Sequence, residues 1–251
     1  MSIQSEINRI KANVVGAYLV LSAKGATMPS TQNTANLASA IESIPINAEA
    51  MSIETIWAIC GYDPNGGLPD GYTLLEYIQS SGTQYINTGF VPNNNTCVVM
   101  DFQFETTPSS HSFLFGVRTS SSSGVYGFLW LSSGYFRSDY NNSETGTLSV
   151  AATGRKTVTK NKETTTLAGV SQSHTNSTFS CAYNLYLFAR NNKGTADCKA
   201  TVRVYSCQIY DNGALVRDFV PCINDSGVYG LYDKVNSTFY ANAGSGSFTG
   251  V

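Results

Sequence analysis

The sequence predicts a mainly β protein: an antiparallel β-sandwich preceded by a small α-helical N-terminal segment. Three observations point there. Apolar residues recur at steps of three and four before Leu68, but at steps of two after it. The later runs are short, rich in β-branched and aromatic residues, and separated by Gly, Asn and Ser clusters. No stretch with helical periodicity interrupts them, which favours sheet packed on sheet over an α/β arrangement. A chain of 251 residues with 42% hydrophobic and 12% aromatic residues can bury a sizeable core.

Ile3, Ile7, Ile10, Val14, Ala17 and Leu21 alternate by four and three, a heptad stripe over about 20 residues. A helix that short needs a partner surface. The stripe is therefore expected either to pack on its own domain or to join protomers, and isoleucine at d positions turns the second option towards a trimer. Ser2 or Ser5 suits the cap, and Lys24-Gly25 suits the helix stop. A second helix is expected from Thr34 or Asn36 to Ile44, ended by Pro45, and a third, short one within 48–60. Tyr62 to Gly67 reads as a linker. The expected division is thus a helical anchor or oligomerisation segment over 1–67 and a sandwich over 68–251.

Strands are expected at about 74–79, 84–88, 96–105, 112–118, 125–131, 134–139, 147–152, 155–160, 164–170, 178–189, 200–210, 214–219, 228–232 and 238–241. Asp211-Asn212-Gly213 supplies a hairpin turn, because Asn-Gly tolerates positive φ.

Charged residues are only 13%, so the surface must be built largely from Ser, Thr, Asn and Gly. A net charge of -2 with no basic run gives nucleic acid no footprint, and no apolar run is long enough to cross a bilayer. The first residues lack the pattern of a secretion signal, so the expected site of synthesis is the cytoplasm. Cys60, Cys97, Cys181, Cys198, Cys207 and Cys222 are widely spaced, fitting buried thiols better than a zinc site or a disulfide framework. Sequons at Asn94, Asn141, Asn176 and Asn236 carry little weight without a secretion signal.

Two blocks at the ends of the β region carry a resemblance. One holds Glu76-Tyr77-Ile78 and Gly82-Thr83-Gln84-Tyr85-Ile86-Asn87-Thr88-Gly89. The other holds Tyr210-Asp211-Asn212-Gly213, Leu215-Val216-Arg217-Asp218-Phe219-Val220-Pro221-Cys222 and Gly230-Leu231-Tyr232-Asp233. Together they resemble concanavalin A-like, laminin-G-type jelly-roll domains of phage and prophage structural proteins. Lys24 to Pro29, with Asn36-Leu37 and Ile41 to Pro45, is similar to the leading segment of phage fibre proteins. Residues 90 to 200 match only in strand pattern. In a jelly roll the first and last strands pair, so the two blocks should close one sheet. Arg217-Asp218 then reads as an ion pair or turn brace, and Gly213 and Gly230 as turn glycines.

Enzymatic chemistry is sparse. Asp101 and Glu105 share a strand face, but four residues of strand hold them about 13 Å apart, too far for a retaining glycosidase pair. His111 and His174 sit in Ser/Thr-rich loops without a nucleophile elbow, and are read as solvated. Ser138 to Asn142 and Asn224-Asp225 offer oxygen atoms for calcium, yet turn chemistry accounts for both. No cofactor and no catalytic residue is expected. Sugar binding is favoured by aromatic rings beside amides. Tyr126, Phe128 and Trp130 share one strand face that suits a core. Tyr135, Arg137, Tyr140, Asn141 and Asn142, with Trp130, are the candidate glycan patch.

The expected function is that of a phage virion fibre or decoration protein. Its N-terminal segment would anchor a homo-oligomer to other virion proteins, and its jelly roll would adhere to bacterial surface glycan. The alternatives are a purely structural virion component without ligand and, further off, a polysaccharide depolymerase.

Overall fold

Period-two alternation becomes sheet geometry in the strand Thr96–Phe104. Thr96, Val98, Met100, Phe102 and Phe104 are buried, while Cys97, Val99, Asp101 and Gln103 are half-buried on the opposite face. The structure is a computed structural model that describes residues 3–44, 59–60, 63, 65–142 and 146–251. The chain divides into the units Met1–Gly67 and Leu68–Val251.

In the second unit the strands are β1 (Tyr72–Leu74), β2 (Ile78–Gln79), β3 (Ile86–Asn87), β4 (Thr96–Phe104), β5 (Ser112–Arg118), β6 (Val125–Leu131) and β7 (Tyr135–Tyr140). There follow β8 (Thr147–Leu148), β9 (Gly154–Asn161), β10 (Thr164–Leu167), β11 (Val170–Ser173), β12 (Tyr186–Leu187), β13 (Arg190–Asn192) and β14 (Thr195–Asp197). The last are β15 (Arg203–Asp211), β16 (Ala214–Asn224), β17 (Tyr229–Asp233), β18 (Thr238–Ala241) and β19 (Thr249–Gly250). They form two sheets. The 11-stranded sheet runs β11-β10-β9-β4-β15-β16-β17-β18, with β1, β2 and β19 attached; the 8-stranded sheet runs β14-β13-β5-β6-β7-β8, with β3 and β12 attached. Pairing is antiparallel except where β13 lies parallel to β5. This is an antiparallel β-sandwich, and a helical segment precedes it.

The strand expected over 178–189 does not run unbroken. Phe188 takes φ +65°, which turns the chain between β12 and β13, and a hairpin that the pattern did not announce (β13 to β14) follows through Lys193 and Gly194. An aromatic at positive φ is costly, and local sequence does not reveal such a position.

Between the sheets lies an aromatic core. Phe128 of β6 stacks on Phe136 of β7 at 5.3 Å and 2°, Phe102 and Phe104 of β4 meet Phe136 from the other sheet, and Trp130 packs edge-on at 5.0 Å. Offset and edge-on pairs add about 0.5–1.5 kcal/mol each beyond area burial.

The two terminal blocks close one sheet. β1 pairs with β16, and β2 lies between β15 and β19. Gln84 explains one block: its buried Oε1 accepts from Ser80 Oγ and the Ser81 amide, and its Nε2 donates to the Ser247 carbonyl. In the other block, Arg217 does not pair with Asp218. It donates to the Thr88 carbonyl and faces buried Asp233, whose Oδ1 caps the amides of Asp218 and Val235. Asp218 instead accepts from Gln208. Asn212 and Gly213 make the expected hairpin turn at φ +49° and +83°. Gly230 has another role: it lies inside β17, where a Cβ would strike the Tyr240 carbonyl and the Phe239 ring.

In the first unit, α1 spans Ile3–Ala23 and α2 spans Thr34–Glu42. Asn33, rather than Thr34 or Asn36, is the cap of α2 and accepts from the Asn36 amide. Gly25 at φ +81° ends α1, with its amide on Ser22 and that of Ala26 on Leu21. The heptad stripe is shared out. Ala17 and Leu21 are buried, the latter with Tyr18 and Ala40, and Val14 packs against that cluster. The second half of the stripe therefore packs within the unit, the first of the two outcomes expected for it. Ile7 and Ile10 remain 40% and 48% exposed; the side chain of Ile3 lies outside the described residues. The expected third helix also lies outside them, except Ile59 and Cys60, which are helical. No described helix is long and apolar enough to cross a membrane.

Lys160 points inward from β9 and is fully buried, a position that alternation alone assigns to an apolar residue. Its ammonium donates to Ser138 Oγ at 2.7 Å and stands over the rings of Tyr126 and Tyr140 at 4.8 and 5.5 Å. Burial pushes its pKa from 10.5 down to about 7, against the opposing pull of Asp139. Between those values the folded chain binds fewer protons than the unfolded chain, so stability rises with pH there and the full penalty is present below 7. Urea unfolding should show a higher midpoint at pH 8.5 than at pH 6.5, and Lys160→Met should remove most of that gap. Equal gaps in both proteins would refute the assignment.

Candidate functional site

The residues of the expected glycan patch are not brought together. β6 and β7 pair with Trp130 opposite Phe136 and Leu131 opposite Tyr135, so neighbouring residues of β7 point to opposite faces. Trp130 is 4% exposed and donates from Nε1 to the Pro108 carbonyl, with Tyr126 and Phe128 beside it in the core. Tyr140 is also on the core side, 3% exposed, its hydroxyl donating to the carbonyls of Asn94 and Ser177. Tyr135 and Arg137 lie on the other face; Tyr135 is exposed, and Arg137 holds Asp139 at 2.8 Å. Asn141, at φ +58°, is a turn residue that accepts from the Gly124 amide and donates to Ser177. Asn142 is exposed beside it, its amide on the Tyr140 carbonyl. The expectation of one platform is corrected: its two large rings with their neighbours belong to the core and its loop.

The outer face of the 8-stranded sheet is filled by its own side chains. Every residue of β6 is buried, on both faces. Gly116 and Gly127 face each other across β5 and β6, and the Phe113 ring lies over them where a Cβ on either would collide. Arg190 stands over that ring at 4.9 Å and forks onto Asp197 with bonds of 2.8 and 2.7 Å. Burial raises the Asp139 carboxyl above its ordinary range, and Arg137 opposes that rise.

The histidines are engaged. His111 Nδ1 accepts from the Ser132 amide. His174 stacks on Tyr140 at 6.0 Å, and burial with nearby Lys160 pushes its pKa down to about 4, so it is not the solvated loop residue expected. Among the described residues no three His, Cys, Asp or Glu side chains gather as a metal site needs. Asn224 Oδ1 accepts from the Ser226 and Val228 amides, as a turn residue does.

The outer face of the 11-stranded sheet is different. The outward residues of β4, β9 and β15 lie between half-buried and exposed, apart from Tyr205 at 9%. At one end of this face is an open groove of about 420 Å³ lined by Asn95, Cys97, Val99, Asn161, Lys162, Tyr210, Asn212 and Gly213. Three turns meet there. The turn before β4 is tied to the end of β15 by Asn93 Nδ2 on Asp211 Oδ1 at 3.0 Å, and the Asn212 amide donates to Asn95. The turn after β9 is fixed by the Lys162 amide on the Thr96 carbonyl, with Lys162 at φ +52°. Tyr210 forms a wall, its hydroxyl donating to Gln208, which in turn donates to Asp218. Burial raises the Cys97 thiol above its ordinary value, which keeps it protonated and a poor nucleophile. The groove thus offers exposed amides, one ammonium and a tyrosine ring.

Further along the same face, Arg155 lies over the Tyr205 ring at 3.7 Å. It forks onto Asp101 and reaches Glu76 at 3.4 Å. Arg203 lies over Tyr77 at 4.4 Å and pairs with Glu105 at 2.9 Å. Asp101 and Glu105, the carboxylates weighed for hydrolysis, are thus each engaged by a guanidinium. Sequence reasoning read this face as polar but did not find the groove, because its turns come from three distant parts of the chain. The hairpin at Asn212-Gly213 was the one legible piece.

No family model matches the chain, and no curated protein does. Among solved structures, Trypanosoma rangeli sialidase in complex with sialic acid is 11% identical, with 58% of this chain and 27% of that chain covered and a TM-score of 0.39. A mutant of that sialidase displaying trans-sialidase activity is 15% identical over 48% of this chain and 21% of that one, with a TM-score of 0.34. The chain spans about a quarter of the length of these enzymes. A likeness of this extent assigns neither an activity nor a ligand.

Exposure separates the roles of two aromatics in the expected patch. Trp130→Ala should cost about 3–5 kcal/mol in urea unfolding through the cavity it leaves, whereas Tyr135→Ala should stay within about 0.5 kcal/mol. Comparable losses for both would show that the core side of β6 and β7 is misassigned.

Proposed function

We propose that this chain is the adhesion module of a phage fibre or decoration protein, and that its β-sandwich holds a bacterial surface glycan in the groove beside Tyr210. The groove carries the reading. Sugars are recognised by amide and ammonium groups that bond hydroxyls and by aromatic rings that pack on their C–H faces, and these groups are gathered there. Both walls are rigid, because the turns that form them are cross-tied by Asn93–Asp211 and Asn212–Asn95. The virion setting is supported by the likeness of the terminal blocks to phage jelly rolls, and by a surface poor in charge.

In this reading the N-terminal unit attaches the module to other virion proteins or to further copies of the chain. The available surface is the open side of α1, where Ile7, Ile10, Val15 and Leu19 are exposed, since Ala17 and Leu21 are already covered within the unit. The module binds without turning over its ligand: Asp101 and Glu105 hold arginines, and Cys97 stays protonated.

A glycan array probed with the full chain, followed by calorimetry on its best hit, tests this. Tyr210→Ala should weaken binding about tenfold, equivalent to about 1.4 kcal/mol, with the unfolding midpoint nearly unchanged. Undiminished affinity in that variant, or an array without any hit, would overturn the reading.

A further inference from the structure

We infer that the groove is one end of a longer binding strip across β9, β4 and β15, built for a linear, uncharged polysaccharide rather than for a single sugar or an anionic chain. This rests on the groove reading and extends it. From Cys97 in the groove to Gln103 beside Tyr205, the outward face of β4 runs about 20 Å, long enough for several sugar units in a row. Between the two ends the outward residues, Asp101 on β4 with Thr157 and Thr159 on β9, are half-buried or exposed.

The far end of the strip is flat and stacked. Arg155 lies on Tyr205, Tyr205 meets Tyr77 edge-on at 5.5 Å, and Arg203 lies on Tyr77. The Arg155 side chain is 49% exposed, so its open surface is the outer side of a guanidinium already seated on a ring. A guanidinium is more weakly hydrated than an ammonium, which lowers the cost of covering it with the C–H face of a sugar.

Charge selects against acidic chains. The edges of both guanidiniums are engaged, Arg155 by Asp101 and Glu76, and Arg203 by Glu105 and Gln79. They are therefore not free to fork onto a uronate or phosphate. Lys162 balances the remaining negative charge, because Arg155, Arg203 and Lys162 match Glu76, Asp101 and Glu105 in number. Asp211 and Asp218 at the margin tip the balance towards negative. An anionic polymer would meet repulsion at the groove end and find no unpaired guanidinium along the strip to offset it.

The experiment is calorimetry of the full chain with neutral glucose and N-acetylglucosamine oligomers of increasing length, and with oligogalacturonates of matched length. Affinity should climb with neutral chain length until the strip is filled, and oligogalacturonates should bind at least tenfold more weakly. Arg155→Ala should flatten that climb. Arg203→Lys, which keeps the charge and loses the stacked plane, should flatten it too while leaving the unfolding midpoint intact. Affinity independent of length, or tighter binding of the acidic series, would overturn the strip; if Tyr210→Ala still weakens binding, the groove stands without it. If no neutral oligomer of any length binds, strip and groove reading fall together.

Discussion

The stack of Phe128 on Phe136, with Trp130 against its edge, is the contact on which the rest of the sandwich depends. It fixes which side of β6 and β7 is inward, and period two then sends every other residue of those strands to a known face. Because Phe128 and Trp130 are inside, Gly127 and Leu129 are outside, where Phe113 and Arg190 cover them. A strand buried on both faces leaves its sheet with little outer surface for a ligand. The opposite sheet has no such cover, and its outward residues on β4, β9 and β15 are the ones left accessible. The location of the groove is thus a consequence of how the aromatic residues were divided between the sheets.

The polar groups around Lys160 inside this core are tolerated because they have defined partners. Lys160 rests between two tyrosine rings with its ammonium on Ser138, and Ser138 in turn meets Thr165 at 2.6 Å. The Tyr126 hydroxyl donates to the Thr96 and Lys160 carbonyls. A buried amine with one hydroxyl acceptor costs more than a methionine of similar volume, so Lys160 favours a single register of β9 against β4 and β10 rather than maximal stability. Slipping β9 by one residue would turn that ammonium to solvent and bring Thr159 or Asn161 inward, without the ring faces or the Ser138 acceptor.

Much of this architecture was legible in the sequence, and what was not has physical causes. Alternation marked β4, β5, β6 and β15 nearly in full, and the terminal blocks announced that the first and last strands would pair. Alternation does not say which face is inward, so Tyr140 and Trp130 looked like candidates for a surface that their register with Phe136 denies them. The stripe from Ile3 to Leu21 was correctly apolar, but a heptad pattern does not distinguish a partner helix in the same unit from one in another chain, and α2 takes Leu21. Lys160 was invisible because a lysine at an inward position looks like a break in the pattern. The groove was hidden for another reason: Asn95, Asn161 and Asn212 are turn residues in isolation, and only the strand order β9-β4-β15 gathers them.

Under the proposed binding of a neutral glycan, the scarcity of charge acquires a meaning from that geometry. A surface that must bind a neutral, strongly hydrated polymer gains little from free charges, each of which would hold water that the ligand has to displace. Amides lose less on desolvation and offer both a donor and an acceptor, matching a hydroxyl in either role. The few charged groups on the outer face are mostly paired across strands: Arg155 with Asp101 from β9 to β4, and Arg203 of β15 with Glu105 just past the end of β4. Pairing converts them from solvent-ordering ions into flat, rigid parts of the surface. Such a face suits weak contacts repeated along a chain, and if several copies are displayed on one particle, their combined hold exceeds that of any single groove.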